Sequence, residues 1–174
     1  MAVQAGGHLE ATGLTITGVC AVGAEVRGEG SCLSLTDCKL HSLCDEGARA
    51  LSVGVLVHSS SSAHLSSLSV SGGYVDDVRV DVTAAATLDD CQVSQCQDMC
   101  DGSCVHILGS TCHLTSCTLA GSYNGIVVAE AGRSAHACKC QFLRNGDGAT
   151  VGGRATLIAV SCILTVQVCW IFRM

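Results

Sequence analysis

The chain has 174 residues, of which 48% are hydrophobic and 14% charged, so a disordered segment is excluded and one packed domain is expected. A net charge of −6 with no basic cluster excludes nucleic acid as the expected partner. Fourteen Cys stand beside 3% aromatic residues and no Pro, which suits a narrow interior and an uninterrupted hydrogen-bond ladder.

At the start of the chain, Met1 to His8 has neither a charged beginning nor an apolar run. No signal peptide is expected there, and the expectation that follows is a cytoplasmic setting with reduced thiols. The first repeat unit begins almost at Met1, without the polar cap a solenoid normally carries, which leaves room for a longer parent chain.

From Gly7 onward one pattern of apolar positions returns seven times. Gly7-Leu9-Thr12-Leu14 opens it, followed by Leu33-Leu35-Cys38-Leu40, Ala63-Leu65-Leu68-Val70 and Ala86-Leu88-Cys91-Val93. Cys112-Leu114-Cys117-Leu119, Ala135-Ala137-Cys140-Phe142 and Leu157-Ala159-Cys162-Leu164 complete it. The third position falls at 12, 38, 68, 91, 117, 140 and 162, a repeat of 22–30 residues. Alternation with period 2 on both sides of a two-residue gap predicts two short strands meeting at a bend. A third strand is predicted upstream of several units, at Gly54 to Val57, Val78 to Val80, Val105 to Ile107 and Ile126 to Val128. Gly- and Ser-rich stretches such as Ser71-Gly72-Gly73 mark the corners. Coils of this kind bury their apolar faces only by stacking, each strand lying ~4.8 Å from its equivalent.

The run G-V-x-V-x-x-x-A-x-L-x-x-C-x-V, seen around Gly54 to Val70 and again around Val78 to Val93, resembles the right-handed parallel β-helix repeat. That repeat occurs in pectate-lyase-like enzymes and in non-enzymatic scaffold proteins. The resemblance implies an all-β, right-handed single-stranded parallel β-helix of about seven coils over residues 6–165. Residues 166–174 are expected to form an apolar tail, either a cap or a truncated end.

Near the C-terminus, residues 155–172 carry no charge and approach the length of a membrane helix. A tail anchor is one reading. A last coil is preferred, because Leu157, Ala159, Cys162 and Leu164 keep the repeat register, and Thr156, Ser161, Thr165 and Gln167 weaken a membrane span.

Five Cys (38, 91, 117, 140 and 162) hold the third repeat position, where Thr12 and Leu68 stand in other units. That exchange predicts packing, since a buried free Cys behaves as a small hydrophobe. Neighbouring thiols ~4.8 Å apart at Cα would also be close enough for oxidation to cross-link adjacent coils. Cys96, Cys100 and Cys104, followed by His106, offer four donors of the type zinc accepts. Their spacing matches no usual zinc motif, and Cys104 precedes a strand and could turn inward. His8, His64, His113 and His136 each lie four residues before the third position, so they are expected to share one outward column. His113 and His136 belong to consecutive coils and could hold a transition metal between them.

For catalysis, acids in register on neighbouring coils are needed. Glu10 and Asp89 are assigned one column, and Asp37 and Asp90 another with Ser67 between them. Asp76 and Asp77 are assigned to a corner. Arg79, Asp81 and Asp101 form the best enzyme candidate, although no convergent pair on adjacent coils emerges. No phosphate loop or G-x-S-x-G elbow is present in the sequence, and no cofactor is expected. The expectation is a non-catalytic module that binds an extended ligand, either polysaccharide or protein. The alternative is a polysaccharide lyase or glycoside hydrolase of the pectate-lyase-like class.

Overall fold

The structure, a computed structural model, describes residues 1–18, 22–41, 53–72, 75–94, 102–109, 111–129, 132–165 and, for the backbone alone, 171–173. Among these residues there are 22 strands and no helix. They form a parallel β-solenoid of about six turns whose three sheets hold eight, seven and seven strands. Each turn contributes one strand to each sheet. The coil that contains Asp76–Val80 (sheet 1), Ala85–Asp89 (sheet 2) and Gln92–Ser94 (sheet 3) is representative.

Register follows from which side chains can be buried. In sheet 2, Ala63, Ala86, Cys112 and Ala135 stack as one inward column, and Leu65, Leu88, Leu114 and Ala137 as the next. All eight are buried. In sheet 1, Val55, Val78, Val105 and Ile126 form a further column with no exposure, facing the same core.

The bend between sheets 2 and 3 has a fixed backbone device. Gly13, Asp37, Ser67, Asp90, Ser116, Lys139 and Ser161 occupy one column, and all have positive φ, from 48° to 67°. A left-handed residue reverses the chain direction sharply within one step. Six of these residues also donate their N–H to the next coil, as Ser67 does to Asp89 O at 2.9 Å and Ser116 to Cys138 O at 2.9 Å. The ladder therefore continues around the corner.

The first coil departs from the expected register. Leu9 pairs with Leu33, Ala11 with Leu35, and Thr12 with Thr36, so Leu14 and not Thr12 occupies the position equivalent to Cys38. The true unit is Leu9-Ala11-Leu14-Ile16. A shift of two residues keeps every side chain on its own face, so alternation alone does not separate the two registers. The left-handed Gly13 does, because it aligns with Asp37. Two assignments fall with this correction: His8 aligns with Cys32, and Glu10 aligns with Ser34 rather than sharing a column with Asp89.

At the other end, Thr156–Val160 and Ile163–Thr165 are strands in register with the preceding coil. Among the described residues no helix is long and apolar enough to cross a membrane. Residues 155–165 thus continue the stack, and Ile171–Arg173 adds an eighth strand to sheet 1. Residues 166–170 and Met174 lie outside the described residues.

Candidate functional site

Three outward faces gather side chains with chemistry. The first is on sheet 1. Glu25, Leu56, Arg79 and His106 occupy one outward column on consecutive coils. Just beyond the strand ends stand His58 and Asp81. His58 Nε2 lies 2.8 Å from Glu25 Oε1, and its Nδ1 lies 3.2 Å from Asp81 Oδ2. Arg79 Nε donates to Asp81 Oδ1 at 3.0 Å, and an Arg27 guanidinium nitrogen lies 3.8 Å from Glu25. A neutral imidazole has one N–H for two carboxylates, whereas the charged ring supplies one to each. On the next strand His106 Nδ1 lies 3.1 Å from Asp76 Oδ2, and that carboxylate is 2% exposed.

Of the enzyme candidates, Arg79 and Asp81 are in contact. Asp101, Cys96 and Cys100 lie outside the described residues. Asp76 and Asp77 are not corner residues: both are buried at the start of the strand Asp76–Val80. Sequence reasoning missed Glu25, His58 and the Asp76–His106 pair. The signal was available only through register, because 33 residues separate Glu25 from His58 in the chain.

Cys104 is fully buried, with Sγ 3.5 Å from Val93 O, 3.6 Å from Ala120 O and 3.3 Å from Ser122 Oγ. His106, two residues on, stands on the partly exposed outer face. Among the described residues no three His, Cys, Asp or Glu side chains converge as a ready metal site.

The second face is on sheet 3. Lys39, His41, Ser67, Ser69, Asp90 and Gln92 line a shallow depression of about 380 Å³ that crosses three coils. His41 Nδ1 lies 3.3 Å from Ser71 Oγ on the next strand. Asp37, Ser67 and Asp90 do share a column, as expected, at the left-handed corner that borders this face.

The third face is the outer side of sheet 2. His64, Thr87, His113 and His136 align in one column there, with Ser34 before them and Ile158 after. His113 and His136 stack, with ring centroids 5.1 Å apart and planes inclined at 26°.

The Cys column faces inward. Cys38, Cys91, Cys117 and Cys140 are buried free thiols. Each ladder thiol donates to a corner carbonyl, as Cys91 does to Leu65 O at 3.3 Å and Cys117 to Thr115 O at 3.3 Å. A small apolar side chain with a weak donor therefore fits this corner better than an aliphatic one, which accounts for the recurrence of Cys. Burial pushes the Cys112 thiol well up. The neighbouring Cys140 thiol lowers Cys117, but Cys91 and burial outweigh that and raise Cys117 to about 12. Thiols held protonated in this way are poor nucleophiles and poor metal ligands. Comparison of the chain with protein-family models, with curated proteins and with solved structures returned no match.

Proposed function

We propose that this chain is a non-catalytic β-helix module that binds an extended polar ligand, polysaccharide or protein, along its outer faces. The observation that carries this reading is the depression on sheet 3. Lys39, Ser69 and Gln92 come from three successive coils and occupy equivalent positions. Donors and acceptors therefore recur every ~4.8 Å along the axis, and an extended chain lying on that axis meets comparable groups at each step.

A second reading, a polysaccharide lyase or hydrolase of the pectate-lyase-like class, is favoured by the sheet 1 cluster. Glu25 and Asp81 meet at His58 across three coils, with Arg79 beside them. Against it, these groups pair with one another, and the depression lies on a different sheet.

Affinity electrophoresis in gels that contain polygalacturonate or neutral glucans tests both readings. Retardation of the wild type, lost in Lys39→Ala and Gln92→Ala, is the expected result. No retardation in any gel would remove polysaccharide and leave protein as the ligand class. Unsaturated product from polygalacturonate with Ca²⁺, abolished in Arg79→Ala, would replace the first reading by the second.

A further inference from the structure

We infer that the outer face of sheet 2 carries a two-histidine site for one divalent late transition ion, of the Zn²⁺ or Ni²⁺ type. His113 and His136 face each other in register on adjacent strands. Both project from the outward column, His113 exposed and His136 half-buried. Their rings already stack, with 5.1 Å between centroids.

A tetrahedral ion with Zn–N bonds of ~2.0–2.1 Å needs its two ligand nitrogens only about 3.4 Å apart. Parallel strands fix the two backbones ~4.8 Å apart, so rotation of the stacked rings about their side-chain torsions can turn one in-plane nitrogen of each toward a shared ion. The sheet thus supplies the preorganisation, and only side-chain torsions remain to be ordered on binding. Imidazole is a preferred ligand of these ions. Since no third His, Cys, Asp or Glu converges here among the described residues, water completes the coordination. Cys138 lies two residues beyond His136 on the same strand and is half-buried. It is the one nearby thiol on this strand that could compete for the ion.

The same column contains its own control. His64 is separated from His113 by Thr87, so it has no histidine neighbour in the column. A single imidazole lacks the chelate gain, which is worth on the order of 100-fold in affinity for a well-matched pair.

The test is a Zn²⁺ titration of the whole chain under reducing conditions, followed through the ring nitrogen resonances of its histidines. The His113 and His136 signals are expected to move together and saturate at one equivalent. Affinity should fall on the order of 100-fold in His113→Ala and in His136→Ala, and should stay unchanged in His64→Ala and Cys138→Ser. Thr87→His joins His64 to the pair and should raise uptake to two equivalents. Equal affinity in the wild type and both His→Ala variants would overturn the site. So would loss of binding confined to Cys138→Ser, or uptake that stays at one equivalent in Thr87→His.

Discussion

Asn145 reaches back one coil to accept the main-chain N–H of Ser122 at 3.1 Å. Its Nδ2 donates to Leu119 O at 3.0 Å, and the residue is only 2% exposed. One side chain thereby satisfies a buried donor and a buried acceptor at the corner after sheet 3. Truncation leaves both without that partner, so Asn145→Ala is expected to cost roughly 1–3 kcal/mol. Urea midpoints measure it, and an unchanged midpoint would show that water replaces the amide at no cost.

Gly54 is required by space. A Cβ at that position would meet Val70 Cγ1 at 2.4 Å and Asp77 O at 2.5 Å. Gly54→Ala should therefore destabilise by about 1–3 kcal/mol through overpacking. Gly152→Ala is the control, because its nearest neighbour is Val128 O at 3.9 Å. Thermal melts of the two variants should differ by several degrees, and equal melting points would contradict the steric argument.

Lys139 sits at φ 56° in the left-handed corner column. A left-handed residue other than glycine costs roughly 1–2 kcal/mol, and a β-branched one costs more. Lys139→Gly should hold or gain stability, while Lys139→Val should lose it. The reverse order in denaturant midpoints would mean that the corner relaxes out of the left-handed region.

The buried thiols predict an alkaline weakness. Cys117 is raised to about 12, and Cys112 and Cys140 are raised further. Cys91 moves the other way, lowered chiefly by the adjacent Cys117 thiol. In the unfolded chain a thiol ionises near its ordinary ~8.5. Between that value and the raised one the unfolded state holds fewer protons than the fold. Stability from Cys112 and Cys117 is complete below pH ~8.5 and falls above it, by up to ~1.4 kcal/mol per pH unit for each. Urea midpoints at pH 7 and pH 10 should show the decline, and Cys112→Ala should make it shallower. A flat profile would place these thiols in contact with water.

Removing His58 should change little in stability. The ring is 34% exposed and both of its carboxylate partners 21%, so solvent screens the ladder. His58→Ala is expected to cost no more than about 1 kcal/mol, and less at high salt. A loss of several kcal/mol that is indifferent to salt would mark the ladder as a packed structural element.

The sequence by itself determined that this chain is a stack of three-stranded coils. Period-2 alternation and a recurring small-residue column can be buried only by neighbours in register, so residues such as Leu65, Leu88 and Leu114 had one possible side. It also predicted that the Cys column points inward, from the exchange of Cys with Thr12 and Leu68, although Leu14 and not Thr12 holds the position in the first coil. Tertiary structure alone decided the rest. Alternation is unchanged by a shift of two residues, so the first coil was resolved only by the left-handed Gly13 and by its pairing with the second coil. The sheet 1 cluster depends on distance across coils of unequal length, which no local spacing between Glu25, His58 and Asp81 encodes. The stacked rings of His113 and His136 lie between these cases: their shared column could be read from the repeat, but their contact exists only because two parallel strands hold them side by side.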